Sequence, residues 1–270
     1  MTSKVPNQSI DKYIFITGAS SGIGAAMAKE YAQPGHLLIL GGRNEDKLAQ
    51  IARSCESKGA TTHVCLLDIA QTDALEAKVE LLKKDFPRID VLVNNAGLSQ
   101  RSRITDTSLD THRRIFEVNY FGTIELTRHI LEWMLEKKGG TIAVISSMAG
   151  KFGFPLRSSY SASKHALLGY FGTLDLEHKD DGIVVCMVCP GRINTPISIS
   201  ALQGDGSTKK TMDRGLANGM DVDKCAKKII RSVNKGKYMT YVGGKELIMV
   251  ALFKFFPFLF RIIARRVDPE

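Results

Sequence analysis

A doubly wound α/β fold, built on a seven-stranded and mainly parallel sheet with helices on both faces, is what this sequence predicts. Three observations predict it. Short aliphatic runs alternate with longer amphipathic segments, several of those runs are nearly continuous in apolar character, and the first runs directly into a glycine-rich turn.

Seven runs have the length and the β-branched or aliphatic content of strands: Tyr13–Thr17, Leu37–Gly41, His63–Leu67, Val91–Asn94, Thr141–Ser146, Ile183–Val188 and Tyr238–Val242. Between them Ala25–Gln33, Asn44–Lys58, Thr72–Asp85, Asp110–Lys138, Ser158–Asp180 and Asp221–Asn234 read as helices. Strands joined by helices cross over in one hand and cover both faces of a parallel sheet. The 270 residues suffice for one such domain over the whole chain, and no repeat or long linker divides it. Ser198–Gly219 contains GDGSTKK and little periodicity; a loop is expected near 196–220, either a mobile substrate lid or a surface insertion.

Composition excludes several classes. Hydrophobic residues make up 44% and charged residues 24%, far from a disordered chain. Lys and Arg outnumber Asp and Glu by 37 to 28, a net charge of +9 that suits nucleic acid, an anionic membrane or a phosphorylated ligand. The five cysteines form an odd set without zinc-site spacing, so no metal and a reducing compartment are expected. Cys186 and Cys189 form a C-x-x-C inside an apolar run, where a buried strand is expected rather than a redox turn. The N-terminal MTSKVPNQSIDK is polar and lacks the apolar stretch of a secretory signal, so a cytoplasmic location is expected.

The first strand leads into Gly18, Ala19, Ser20, Ser21, Gly22, Ile23 and Gly24, and then into the helix-forming AAMAKEYA. Glycines there permit a tight turn, let a pyrophosphate approach the backbone, and start a helix whose N-terminal amides face the anion. With its TGxxxGxG spacing the chain resembles the short-chain dehydrogenase/reductase superfamily, and the resemblance covers nearly all of it. Asn94-Asn95-Ala96-Gly97, Asn119 in VNYFG, Ser147 in VISSMAG, Tyr160 and Lys164 in YSASK, and Pro190-Gly191 with Thr195 follow in the family's order. The resemblance implies a Rossmann-type fold, a nicotinamide cofactor and no nucleic-acid partner.

The residue ending the second strand selects the dinucleotide, because an acid there bonds the ribose 2′-OH and repels a 2′-phosphate. Gly42 takes that place and Arg43 follows, with a guanidinium suited to phosphate, so NADP(H) is expected. The resemblance implies that Asp68 and the following Ile69 hold the adenine edge. It further implies that Asn95, Ala96 and Gly97 line the middle of the cofactor, with Ile193 and Thr195 at the nicotinamide carboxamide.

Hydride transfer to a carbonyl needs a proton donor within hydrogen-bond reach of the developing alkoxide. Tyr160 can supply it, and Lys164, four residues on, shares its helix face and favours the phenolate by charge. Ser147, thirteen residues before Tyr160, can orient the substrate oxygen; strand alternation favours it over Ser146. The resemblance implies that Lys164 also binds the ribose hydroxyls and that Asn119 helps hold a water linking Lys164 to solvent.

Pocket residues are expected from Leu98–Arg103, Met148–Leu156 and the stretch after Thr195, including Phe152, Phe154, Leu156 and Ile197, which suit a lipophilic small-molecule carbonyl or alcohol. The tail over 244–270 is dense in Phe and Leu but interrupted by Lys254, Pro257 and Arg261, too broken for a membrane span. It suits an amphipathic segment at a membrane interface, or one that caps the pocket or an interface between subunits. The helices at 110–138 and 158–180 resemble those that form a dimer or tetramer interface in relatives. A non-catalytic NADP(H)-binding scaffold and an epimerase on the same fold remain alternatives.

Overall fold

A computed structural model describes residues 10–266; most of the polar N-terminal stretch, at 1–9, and the end of the tail, at 267–270, lie outside the described residues. Seven parallel strands, β1 (Lys12–Thr17), β2 (His36–Gly42), β3 (Thr61–Leu66), β4 (Val91–Asn94), β5 (Gly140–Ile145), β6 (Ile183–Pro190) and β7 (Met239–Val242), form one sheet in the order β3-β2-β1-β4-β5-β6-β7. The helices are α1 (Gly22–Tyr31), α2 (Glu45–Glu56), α3 (Leu75–Asp85), α4 (Leu109–Phe116), α5 (Gly122–Glu136), α6 (Ser158–His178), α7 (Arg214–Ala217), α8 (Val222–Val233), α9 (Ile248–Phe255) and α10 (Pro257–Ala264). The expected sheet and its strand content are present.

Side-chain alternation divides the apolar runs between two cores. On one face Phe15, Ile39, Leu92, Val144 and Met187 pack against Val79 of α3, Ile130 of α5 and Phe171 of α6. On the other, Ile14, Ile16, Leu38, Leu40, Val93 and Val188 pack against Met27 of α1, Leu48 of α2 and Ile229 of α8. Burial on both faces is why these runs read as continuous apolar stretches rather than as alternating ones. Helix starts are set by side chains that satisfy otherwise orphaned amides: Asn44 accepts from Lys47 N at 2.9 Å, Ser108 from Thr111 N at 3.2 Å and Asp221 from Lys224 N at 2.9 Å. Cys186 and Cys189 lie three residues apart in β6 and so on opposite faces, and both are buried free thiols. Burial pushes both thiols up to about 11, which keeps them protonated and unreactive.

One helix expected from the pattern is two. The segment from Asp110 to Lys138 breaks at a π-helical turn, Glu117–Phe121, between α4 and α5. The cause is tertiary: Asn119 turns inward to bond the chain at Leu98, and Gly122 passes so close to Ile69 that a Cβ would stand 1.9 Å from its carbonyl oxygen. The segment Ser198–Gly219 is not a loose insertion. It buries Ser198, Ala201, Leu202 and Asp213, pairs Leu202 with both Gln100 and Thr208, and contains the short α7.

Two helical glycines are expected to respond in opposite directions. Gly122→Ala forces a methyl against the Ile69 backbone, and overpacking of this kind costs about 1–3 kcal/mol. Gly169 of α6 is exposed and has nothing within 4 Å of the place a methyl would take, so Gly169→Ala gains about 1 kcal/mol of helix propensity. By thermal denaturation the first lowers and the second raises the midpoint, at about 2–4 °C per kcal/mol; shifts of the same sign would contradict this packing.

Candidate active site

The strand order reverses between β1 and β4, and helices leaving these neighbours diverge to opposite faces. A cavity of about 1210 Å³ opens at the C-terminal ends of the strands there. Its floor is stitched by two side chains. The Thr17 hydroxyl accepts from Asn95 N at 3.0 Å and Ala96 N at 3.1 Å and donates to Val93 O at 3.2 Å, while Asn95 Nδ2 donates to Thr17 O at 2.9 Å. Thr17 was not singled out from the sequence, although its place just before Gly18 carried the signal.

The glycine turn forms one wall. Gly18 and Gly22 take φ of 65° and 55°, which glycine adopts without the steric cost of a Cβ, and a Cβ on Gly18 would stand 2.9 Å from Ala96 Cα. Ser20, Ser21, Gly22 and Ile23 line the cavity with Gly18. Gly24 does not; a Cβ there would stand 2.4 Å from Gly18 O, so this glycine lets α1 approach its own turn. Asn95, Ala96 and Gly97 line the middle, and Asp68 and Ile69 line the far end with Gly42 and Arg43. Asn44 and Lys47, which sequence reasoning passed over, lie beside Arg43; Lys47 is in the first turn of α2, where only the fold directs it inward.

Ser147, Tyr160 and Lys164 come together in the same cavity. The Ser147 side chain neighbours the Tyr160 phenol closely enough to favour its ionised form. Ser146 also lines the cavity, but its hydroxyl is taken up in donating to Lys164 O at 3.0 Å, which distinguishes the two serines. Burial pushes the Tyr160 phenol above its ordinary value, opposed by the Ser147 side chain and by the charges of Arg157 and Arg101. Lys164 is 4% exposed, its Nζ donates to Ile145 O at 2.8 Å, and burial lowers its pKa to about 8. Gln100 positions the helix that carries both: its Oε1 accepts from Ser159 N at 2.8 Å, capping α6, whose N-cap residue Arg157 makes no such bond.

Asn119 lies behind the wall and does not line the cavity. Its Oδ1 accepts from Leu98 N at 2.7 Å and its Nδ2 donates to Leu98 O at 2.9 Å and to Ser163 Oγ at 3.0 Å. Pro190, Gly191, Ile193 and Thr195 also line the cavity, with Thr195 close against Gly22 of the glycine turn. Glu246 holds this segment by accepting from Arg192 N at 2.9 Å and Gly244 N at 3.1 Å.

On the remaining side Phe154 and Ile197 line the cavity as expected, together with Ile199, Leu216, Ile248 and Met249. Phe152 and Leu156 do not. Phe152 is buried against Phe253 and Phe260 of the tail, with ring centroids at 5.5 and 4.8 Å, and Leu156 instead gives its carbonyl to Ser102 N. The tail thus caps the cavity: α9 supplies Ile248 and Met249, and α10 packs back through Phe260. Among the described residues no helix is long and apolar enough to cross a membrane, and no cluster could hold a metal ion.

Two solved structures share the fold. A short chain dehydrogenase/reductase from Burkholderia phymatum, in complex with NAD, matches with TM-score 0.80 at 21% identity over 99% of this chain and 98% of its own. An alcohol dehydrogenase from Thermococcus sibiricus, complexed with 5-hydroxy-NADP, matches with TM-score 0.73 at 25% identity over 87% and 97%. The chain is also similar to dehydrogenase/reductase SDR family member 7B of Rattus norvegicus, 38% identical over 83% of this chain and 71% of that protein. The same-named protein of Danio rerio is 38% identical over 96% and 87%, and family member 7 of Homo sapiens 34% over 92% and 75%. A family profile described as short chain dehydrogenase matches residues 12–205. With its sheet order, its glycine turn and its serine, tyrosine and lysine in one cavity, the chain belongs to the short-chain dehydrogenase/reductase family of oxidoreductases.

Proposed function

We propose that this protein is an NADP(H)-dependent oxidoreductase that interconverts a carbonyl and a secondary alcohol on a lipophilic small molecule. The observation that carries this reading is that Ser147, Tyr160 and Lys164 line one cavity together with the glycine turn.

The residues present fit a dinucleotide. Bare backbone at Gly18 and Gly22 admits a diphosphate to the first amides of α1, and Arg43 and Lys47 offer cations where a 2′-phosphate would lie. The 5-hydroxy-NADP bound by the Thermococcus sibiricus enzyme supports the same class of cofactor. When bound, the nicotinamide supplies or accepts the hydride. Ser147 orients the substrate oxygen by hydrogen bonding, and the proton on Tyr160 Oη passes to that oxygen as its charge develops. The raised phenol keeps that proton available through neutral pH. Lys164 would hold the ribose hydroxyls of a bound dinucleotide and, with a pKa lowered to about 8, could return a proton toward Tyr160. Asn119 acts at one remove, as a positioning residue that fixes Leu98 and Ser163 behind Lys164.

The tail favours a second, compatible reading. Outside the contacts that cap the cavity, Phe255, Phe256, Phe258 and Leu259 are exposed beside Lys254, Arg261 and Arg265, the pattern of a segment lying in a membrane interface. We infer peripheral contact of a cytoplasmic protein with an anionic membrane surface. Exposed Phe121 and Leu176, beside α5 and on α6, support a homodimer or homotetramer.

Three measurements bear on these readings. Tyr160→Phe is expected to keep cofactor affinity and lose turnover on any carbonyl by at least about 100-fold, since general acid catalysis supplies roughly 10²–10⁴; unchanged turnover removes Tyr160 from the mechanism. Arg43→Ala is expected to raise KM for NADPH by about 10- to 100-fold, the worth of a charge-assisted hydrogen bond, and to leave KM for NADH nearly constant. In liposome flotation the protein is expected to rise with phosphatidylserine vesicles, and Phe255→Ser with Phe258→Ser to abolish this; wild type that stays in the soluble fraction argues against membrane contact.

A further inference from the structure

The first turn of α6 is held from outside the helix. Ser161 N donates to Arg157 O at 2.8 Å, so the amides of Ser158, Ser159 and Tyr160 are the ones with no partner within the helix. Helices usually satisfy such amides with a Ser, Thr, Asp or Asn at the N-cap. Here that place belongs to Arg157, whose guanidinium has no acceptor to offer. It follows Leu156 at φ of 62°, a conformation that residues other than glycine rarely adopt. Gln100, 59 positions away from Ser159, supplies the acceptor: its Oε1 accepts from Ser159 N at 2.8 Å and from Tyr160 N at 3.4 Å. Gln100 is fully buried, and its Nε2 reaches Ser102 Oγ at 3.2 Å, Thr107 Oγ1 at 3.1 Å and Ser158 Oγ at 3.2 Å. Both ends of the side-chain amide are thus fixed, and Ser102 N holds the Leu156 carbonyl at 3.2 Å.

The backbone at Gln100 is pinned to the segment 198–219. Leu202 N donates to Ser99 O at 2.9 Å and Arg101 N donates to Leu202 O at 2.8 Å, so Leu202 brackets Gln100 on both sides. Beside it, Arg101 Nε donates to Asp213 of the same segment at 2.9 Å. Ile199, Ser200, Thr208, Lys210 and Leu216 of that segment line the cavity, whereas Gln100 does not. A strap therefore runs from the cavity wall through Leu202 and Gln100 to the amide of Tyr160. Its effect follows from the place of Tyr160 in α6. Lys164, one turn on, is anchored through its bond to Ile145 O, and Tyr160 lies between that anchor and the helix end, where helices fray. We propose that Gln100 is a positioning residue through which the segment 198–219 keeps the first turn of α6 wound and Tyr160 seated, so that packing of this segment around a substrate sets the fraction of molecules ready to react. This rests on the proton donation by Tyr160 proposed above and adds control over its seat.

Hydrogen–deuterium exchange of the full chain, with NADP⁺ present, tests the strap apart from turnover. Gln100→Met keeps the volume but leaves two buried amides without an acceptor, so exchange at Ser159 and Tyr160 is expected to rise about tenfold or more while that of α2 stays constant. Gln100→Glu keeps the acceptor, and Ser102 and Ser158 can turn their hydroxyls toward it, so exchange is expected to stay within about threefold of wild type. Leu202→Ala, or the milder Leu202→Val should that chain fail to fold, is expected to raise exchange at the same two amides and to add nothing further to Gln100→Met. With NADPH and benzil, a lipophilic diketone, Gln100→Met is expected to lose about tenfold in kcat with KM for both within about twofold, and Gln100→Glu to restore most of it. Exchange at Ser159 and Tyr160 that is unmoved by Gln100→Met or by the Leu202 variant, or that moves only as much as in α2, overturns the strap. So does lost protection with unchanged kcat, the signature of a cap that only stabilises the fold. NADPH left unoxidised by benzil and by other carbonyls would remove the oxidoreductase reading, and the exchange data would still decide the strap.

Discussion

The hydrogen bonds that join Thr17 to Asn95 and Ala96 are the constraint on which the site depends. They hold together the ends of β1 and β4, the two strands from which helices leave toward opposite faces. A crevice exists there because neighbouring strands send their chains apart, and it stays open because side chains rather than packed helices close its floor. The glycine turn leans on the same point, since Gly18 lies against Ala96 with no room for a Cβ. The surfaces expected to meet the cofactor are therefore set by one local arrangement, reached by residues nearly eighty positions apart.

Burial does different things at different places around this crevice. At Cys186, Cys189 and Cys225 it raises the thiols to about 11 or 12 and leaves them inert packing groups. At Lys164 the same desolvation lowers the ammonium to about 8, near enough to neutrality for a proton to be gained or lost. At Arg157 even burial beside other cations leaves a permanent charge. One physical effect thus yields a structural thiol, a titrating amine and a fixed guanidinium, according to the ordinary value from which each begins.

The sheet was legible because both faces of it are buried, which makes each strand a plain apolar run, and because Gly18 through Gly24 announce the strand-to-helix turn. Ser147, Tyr160 and Lys164 were legible as a set through the family resemblance of the motifs around them, since their spacing alone describes an ordinary helix-surface pair and a strand-end serine. What escaped was set by contacts distant in sequence. The break of the helix at Asn119 follows from its bonds to Leu98, Lys47 acquires a place only when α2 docks, and Phe152 is drawn from the cavity by Phe253 and Phe260 of the tail. Local pattern does not carry these, because a propensity for helix or an apolar side chain says nothing of which partner arrives.

Lys164 is tied to β5 from both of its ends. Its carbonyl accepts from Ser146 and its ammonium donates to Ile145 O, so one residue of α6 grips the tip of one strand by backbone and by side chain at once. A helix gripped in this way has no small errors open to it. Slipping by a single residue would turn its face by about 100° and carry Tyr160 out of the crevice altogether. Register on this helix is all or none, and the tyrosine is either seated beside Ser147 or absent from the site.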